Sequence, residues 1–211
     1  YLLWFKNTLM IAVGVSLATV FVCTIAAYVF SRFRFPFKKS LMLSFLILQI
    51  FPSFLGMVAI YVILLRLDGL DTLWGMVLIY TAGNVPYNTW LVKSYVDSIP
   101  RTLDEAAKID GCGEFQTFRS VVLPIVRPGV GALAIFTFIS TWNDYFLQLI
   151  MLNSRTALTL QLGIATLQAE FATNYGALMA GATFAALPIV LVFLLFQNAF
   201  TQGITMGAVK G

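Results

Sequence analysis

The chain has 211 residues, of which 60% are hydrophobic and 10% charged, against roughly 25% charged in an ordinary soluble domain. A soluble fold is excluded, because one core could not hide so much apolar area. The 13 Lys and Arg against 9 Asp and Glu give a net charge of +4, too few and too scattered for a nucleic-acid surface. The absence of histidine removes the usual imidazole base and the commonest metal ligand.

Uncharged runs between successive charges mark candidate spans, since a hydrocarbon core of about 30 Å takes about 20 helical residues. Lys6 to Arg32 encloses 25 uncharged residues, Lys39 to Arg66 26, and Asp71 to Lys93 21. Arg127 to Arg155 encloses 27 residues broken only by Asp144, and Glu170 to Lys210 encloses 39, with Ala177 to Phe196 as the membrane core. The expectation is an all-α integral membrane protein with five spans, a single domain over 1–211, and its two ends on opposite sides. Cys23 lies in an apolar run and Cys112 in a polar interval, which suggests neither a disulfide nor a metal cluster.

Orientation follows from the cations, which are enriched in short cytoplasmic loops. Ten of the 13 fall on one side: Arg32, Arg34, Lys38, Lys39, Lys93, Arg101, Lys108, Arg119, Arg127 and Lys210. Lys6, Arg66 and Arg155 fall on the other. The interval after Lys93 and the C-terminus are therefore expected in the cytoplasm and Tyr1 outside. No signal-peptide pattern opens the chain, and a further helix ahead of Tyr1 would reconcile an external start with that absence.

In the last span Ala177, Gly181 and Ala185 recur every fourth residue, a stripe that lets helix backbones approach in lipid. Pro52 and Pro188 are expected to kink or open their spans locally. Polar groups at membrane depth are costly and call for partners or a watery cavity. Thr137, Ser140, Thr141, Asp144 and Gln148 are expected to share one face of the fourth span. Asn84 and Asn88 stand one turn apart around Pro86, with Trp90 close behind, and Gln49 lies in the second span. Gln49, Asn84, Asn88, Trp90, Asn143, Asp144 and Gln148 are thus candidates for a polar-solute pathway; the alternative is that they bond to neighbouring helices or sit at the membrane surface.

The longest polar interval, about 98–124, opens with Ser98-Ile-Pro-Arg-Thr-Leu-Asp-Glu-Ala-Ala. Pro100 suits a helix start and Thr102 three before Glu105 fits a capping box. Asp104 and Glu105 suit the positive end of the helix dipole. Gly111 fits a left-handed C′ position, ending the helix after about two turns. A second short segment, Phe115 to Val122, leads to Pro124. Physics alone leaves open whether this is more than a solvated connection between spans.

Glu105-Ala106-Ala107, three residues to Gly111, and nine more to Val121-x-Leu123-Pro124 resemble the EAA loop of permease subunits in bacterial ABC-type importers. Asp110-Gly111, Arg127-Pro128, Trp142-Asn143-Asp144-Tyr145-Phe146 and the tail Gly203 to Gly211 are similar to the sugar and oligosaccharide branch, the maltose-type inner-membrane permeases. Two departures are Val121, where Ile is usual, and Gln148, near where many relatives carry Pro. The resemblance implies a type I ABC importer transmembrane domain of six spans, its first helix missing here, in the bacterial inner membrane.

It implies further that the loop is a coupling helix docked on a separate ATPase, with Glu105, Ala106, Ala107, Asp110, Gly111, Leu123 and Pro124 setting that contact. The implied partners are a second permease subunit, two ATPase subunits that bind ATP and Mg, and an external solute-binding protein; no cofactor is expected in this chain. The tail at about 201–211, with Thr205, Met206, Gly207 and Lys210, is expected to reach the ATPases. A permease for glycerol phosphate or a polyamine is the alternative within transporters. An intramembrane enzyme using Asp144 lacks a second carboxylate, a histidine or a metal set, and a passive channel has no use for an EAA loop.

Overall fold

The structure is a computed structural model and describes residues 1–168 and 175–208, with the side chains of Ser53 and 198–208 outside that description. The described residues contain helices and no strand: α1 (Leu2–Arg32), α2 (Lys38–Ile50), α3 (Ser53–Arg66), α4 (Leu73–Ser98), α5 (Arg101–Ile109), α6 (Glu114–Thr117), a π turn (Phe118–Val122), α7 (Leu123–Asn143), α8 (Phe146–Met151), α9 (Leu160–Ala165) and α10 (Tyr175–Ala208). Among the described residues, three helical stretches are long and apolar enough to cross a bilayer, Leu2–Arg32, Glu114–Asn143 and Tyr175–Gln197. The α2–α3 pair makes a fourth only when taken as one broken span. Helix α4 is long enough at 26 residues, but Asn84, Asn88 and its charged last turns dilute its hydropathy.

Proline acts unevenly along these helices. Around Pro52 the chain separates α2 from α3, the opening alternative of the expected kink or opening. Pro52 cannot donate to the carbonyl four residues back, so a helix register cannot pass through it unaided. Pro86, Pro128 and Pro188 nevertheless sit inside continuous helices, as a bundle permits when neighbours take up the freed backbone groups.

The chain forms two compact units interleaved along the sequence. One comprises 1–18, 51–83 and 136–195. Its core contains Ile11, Val15, Leu64, Met76 and Met151, and a second cluster around Trp142, Phe138, Leu160 and Ala185. The Trp142 ring stacks on Phe138 at 5.5 Å and meets Phe5 edge-on at 5.4 Å, and its indole N–H donates to the Ala185 carbonyl at 3.1 Å. The small-residue stripe of α10 works in the same unit: Gly181 and Ala185 are buried, and the Tyr1 hydroxyl donates to the Gly181 carbonyl at 3.0 Å.

The other unit comprises 19–50 and 84–135, with α10 from Phe196 onward. Its core joins Cys23, Ala27, Val92, Val96, Val122, Val126 and Leu133. Both cysteines are free, and no group of side chains suited to a metal occurs among the described residues. This second unit carries the polar loop.

Candidate functional site

Helix α5 starts differently from the expected capping box. Pro100 is the N-cap residue, at φ −56°, and no side chain caps the helix. The proline ring presets the entry dihedral, so the first turn begins at Arg101 and carries Thr102 and Glu105 inside the helix, where a reciprocal box cannot form. The far end is built as expected. Gly111 is left-handed at φ +85°; its N–H donates to Lys108 at 3.1 Å and that of Cys112 to Ala107 at 2.9 Å. These two bonds are a Schellman motif, with Asp110 as the C-cap. A Cβ at Gly111 would meet nothing within 4 Å, so conformation and not space demands glycine here.

The helix has distinct faces. Asp104 and Ala107 are buried, whereas Glu105, Ala106, Lys108 and Asp110 are exposed. At about 100° per residue, Ile109 falls opposite Asp104 and Ala107, and it is 86% exposed. Phe115, six residues on in α6, is 72% exposed. Sequence reasoning missed both, although the same helical stepping applied to Ile109 would have flagged an apolar side chain with no core to enter. Glu114 opens the expected second segment, and the π turn runs directly into α7. Pro124 stands second in α7, and its missing N–H leaves a carbonyl of the preceding turn without its ordinary partner, a setting in which wider turns arise.

The loop is fastened to the last turns of α1. Arg32 Nη2 lies 2.9 Å from Asp104 Oδ2 and donates to the Ile99 carbonyl at 3.0 Å. Arg101 Nη2 donates to the Ser31 carbonyl at 3.0 Å, and Ser31 Oγ donates to Asp97 Oδ1 at 2.6 Å. Tyr28 packs its ring 5.0 Å from that of Phe118 and donates to Glu114 Oε2 at 3.3 Å. A small open cleft between these groups is lined by Arg32, Arg101, Asp104, Lys108 and Glu114. Lys108 and Glu114 form an exposed ion pair across it.

The residues expected to line a solute pathway separate into two groups. Asn143, Asp144 and Gln148 belong to the first unit, and Gln49, Asn84, Asn88 and Trp90 to the second. The single polar face expected from Thr137 to Gln148 is corrected: α7 ends at Asn143, and Asp144-Tyr145 interrupts it before α8. Thr137 and Thr141 are buried while Ser140 is exposed. The interruption lets the Tyr80 hydroxyl donate to the Asp144 carboxylate and reach Gln148. Gln148 is fully buried; it accepts from the Thr159 hydroxyl and donates to the Thr141 carbonyl at 3.3 Å. Asn88 donates to the Asn84 carbonyl at 3.0 Å, and the Trp90 indole to the Met42 carbonyl at 3.0 Å. Gln49 and Asn143 are exposed.

A turn outside the helices is organised by Asp71, itself left-handed at φ 60°. Its carboxylate accepts from the N–H groups of Asn153 at 2.8 Å and Ser154 at 2.9 Å. Burial pushes the Asp71 carboxyl up, but the bonds from Ser154 and Asn153 more than offset it and hold it below the usual carboxylate range. Thr205, Met206 and Gly207 lie in the last turns of α10, with their side chains outside the described residues, and Lys210 is outside them altogether.

Long apolar helices joined by a polar helical loop define a multi-pass membrane protein. Residues 8–206 match the family described as "Binding-protein-dependent transport system inner membrane component", and the chain belongs to that family of transport permeases. It is 40% identical over 212 residues to the maltodextrin transport system permease protein MdxG of Bacillus subtilis (strain 168), covering 100% of this chain and 76% of that protein. To the maltodextrin permease protein MalD of Streptococcus pneumoniae it is 36% identical over 213 residues, covering 99% and 75%. Its fold is similar to the crystal structure of a bacterial ABC transporter involved in the import of the acidic polysaccharide alginate, with a TM-score of 0.81 at 22% identity over 95% of this chain and 75% of that one. The inward-facing MetNI methionine transporter has a TM-score of 0.73 at 16% identity, covering 94% and 93%.

Proposed function

We propose that this chain forms half of the translocation pathway of an ATP-driven, binding-protein-dependent importer of sugars or oligosaccharides. It works by alternating access with a second, homologous permease subunit. Two cytoplasmic ATPase subunits supply the energy, and an external binding protein delivers the solute. The names of the maltodextrin relatives support the solute class, as does a galactooligosaccharide permease protein 34% identical over the whole chain. The alginate transporter, solved also with a pentasaccharide-bound periplasmic protein, supports the kinds of partner. The ten-to-three cation bias supports a cytoplasmic loop and C-terminus, with the whole of 1–211 acting as one transmembrane domain.

Helix α5 is the coupling helix in this reading. The observation that carries it is an exposed face holding Glu105, Ala106 and Ile109, closed by a glycine-dependent Schellman turn, on a loop between apolar helices. Glu105 supplies charge and Ile109 and Phe115 supply apolar area to a docking partner. Ala107 faces its own chain and sets how closely α5 lies on it. Asp110 and Gly111 end the helix, and Leu123 and Pro124 return the chain to the membrane. The solute pathway draws on Gln49, Asn84, Asn88, Trp90, Asn143, Asp144 and Gln148, and the tail from Thr205 through Met206 and Gly207 to Lys210 contacts the ATPases.

Gly111→Trp tests the coupling role, because the left-handed position disfavours any Cβ while open space leaves the fold tolerant of bulk. The expected result is normal membrane expression with loss of uptake and of ATPase co-purification. Wild-type uptake by this variant would refute the assignment.

A further inference from the structure

Helix α5 has nine residues, too short to be stable on its own in water, so tertiary contacts must decide which side of it faces out. Its buried side chains are Asp104 and Ala107. Ala107 offers a single methyl and little rotational grip, which leaves Asp104 as the determinant. Arg32 answers it from α1 with one nitrogen held between Asp104 Oδ2 at 2.9 Å and the Ile99 carbonyl at 3.0 Å, just ahead of the helix start. Arg101 makes the reciprocal contact from α5 back to the Ser31 carbonyl. Both partners of the ion pair are about nine-tenths buried, at 8% and 11% side-chain exposure. Neither Asp104 oxygen nor Arg32 Nε makes a hydrogen bond among the described protein atoms, so the pair is held by charge at close range; Asp104 has no second partner to fall back on, whereas Arg32 keeps the Ile99 carbonyl and the Ser31 hydroxyl at 3.4 Å.

We infer that Arg32 and Asp104 are positioning residues: their pair fixes the rotation of α5 and makes the last turn of α1 the element through which a load on α5 enters the permease. The rotational part stands on this chain alone, and the load-path part rests on α5 being the coupling helix. Removing one partner of a buried pair strands the other charge in a poorly solvated place. Helix α5 then turns to bring the stranded group toward water, and the face that holds Ala107 opens with it. An Arg32→Lys substitution keeps the charge but replaces the planar, weakly hydrated guanidinium, whose Nη2 meets carboxylate and carbonyl together, with a flexible, strongly hydrated ammonium.

Thiol labelling of the full chain in inside-out membrane vesicles reads this rotation. With Cys112 replaced by Ser, a cysteine at position 106 should react with an impermeant maleimide and one at 107 should not. Asp104→Asn or Arg32→Gln should raise the rate at 107 by about tenfold, the signature of an uncompensated buried charge. Arg32→Lys should fall between, and Arg32→Asp combined with Asp104→Arg should restore protection. Native Cys23, fully buried in the same unit, is the internal control. Protection at 107 in both single variants overturns the inference, and so does reaction at Cys23 together with 107, which would mean general loosening.

In the assembled importer, the same single variants should retain ATPase co-purification and transport about tenfold less solute per ATP hydrolysed, because the docking face is presented in the wrong rotation. An unchanged ratio with position 107 opened overturns the load path while leaving the rotational part intact. If no ATPase co-purifies with the parent chain, the proposed function fails instead, and the labelling result still decides the rotation of α5.

Discussion

The two units of this permease differ in buried polarity: among the described residues, only one of them buries a charged side chain, Asp104. In the unit containing α8 and α9, the buried polar side chains are uncharged and mostly reach each other or the backbone: Gln148 bonds to Thr141 and Thr159, and Asn7 donates to the carbonyls of Thr156 and Leu158, each at 2.9 Å. The unit containing α5 also buries hydroxyls and an amide, but adds to them the buried charge of Asp104, met by Arg32; its Lys93–Asp97 pair is more exposed. Amides and hydroxyls satisfy each other at modest desolvation cost and suit a part that stays fixed. Buried ion pairs add little net stability but are severe when half is removed, which suits a part whose geometry has to be specified. The first pattern fastens the 152–166 segment; the second orients a helix that has almost no core of its own.

The sharpest way to break the comparison is to disturb packing in each unit by the same methyl group. At Gly163 an added Cβ would lie 2.1 Å from the Trp4 ring, and at Gly129 it would lie 2.7 Å from that of Tyr95. Overpacking of this kind costs about 1–3 kcal/mol and more when rings cannot yield. Gly163→Ala is expected to lower the unfolding temperature in detergent more than Gly129→Ala. Equal shifts would mean that Trp4 moves as freely as Tyr95 and that the 152–166 segment is not rigidly seated.

A smaller effect is expected from Gln148→Ala, which strands the buried Thr159 hydroxyl and the Thr141 carbonyl. An unsatisfied buried group costs about 1–3 kcal/mol, and the loss should appear as faster proteolysis between 152 and 166 together with weaker uptake. If uptake affinity falls while proteolysis does not change, Gln148 belongs to the solute pathway and not to the fastening network.

The smallest effect concerns pH. The folded Asp71 carboxyl lies below its unfolded value, so its contribution is present above about pH 3.9 and is lost as pH falls through the folded value. Asp71→Asn should flatten the acid limb of stability for this turn and leave neutral-pH uptake intact. A variant with the wild-type acid limb would show that the bonds to Asn153 and Ser154 do not govern it.

The amino-acid order by itself determined the helical membrane class, the polar loop, the small-residue stripe and the left-handed Gly111, because each rests on local chemistry: run length, charge, residue size and one backbone dihedral. It also exposed the polar residues of the spans but misjudged their grouping, since a break at Asp144-Tyr145 leaves no proline or glycine to announce it. Likewise the capping box was a sound local pattern that Pro100, the actual N-cap two residues before Thr102, overrode. Tertiary structure alone decided that the Asp104 and Ala107 side of α5 turns inward, that Gln148 is sealed between Thr141 and Thr159, and that Arg32 meets Asp104 across 72 positions of sequence. Those outcomes depend on which distant helix turn arrives beside which, and no periodicity within a single segment carries that information.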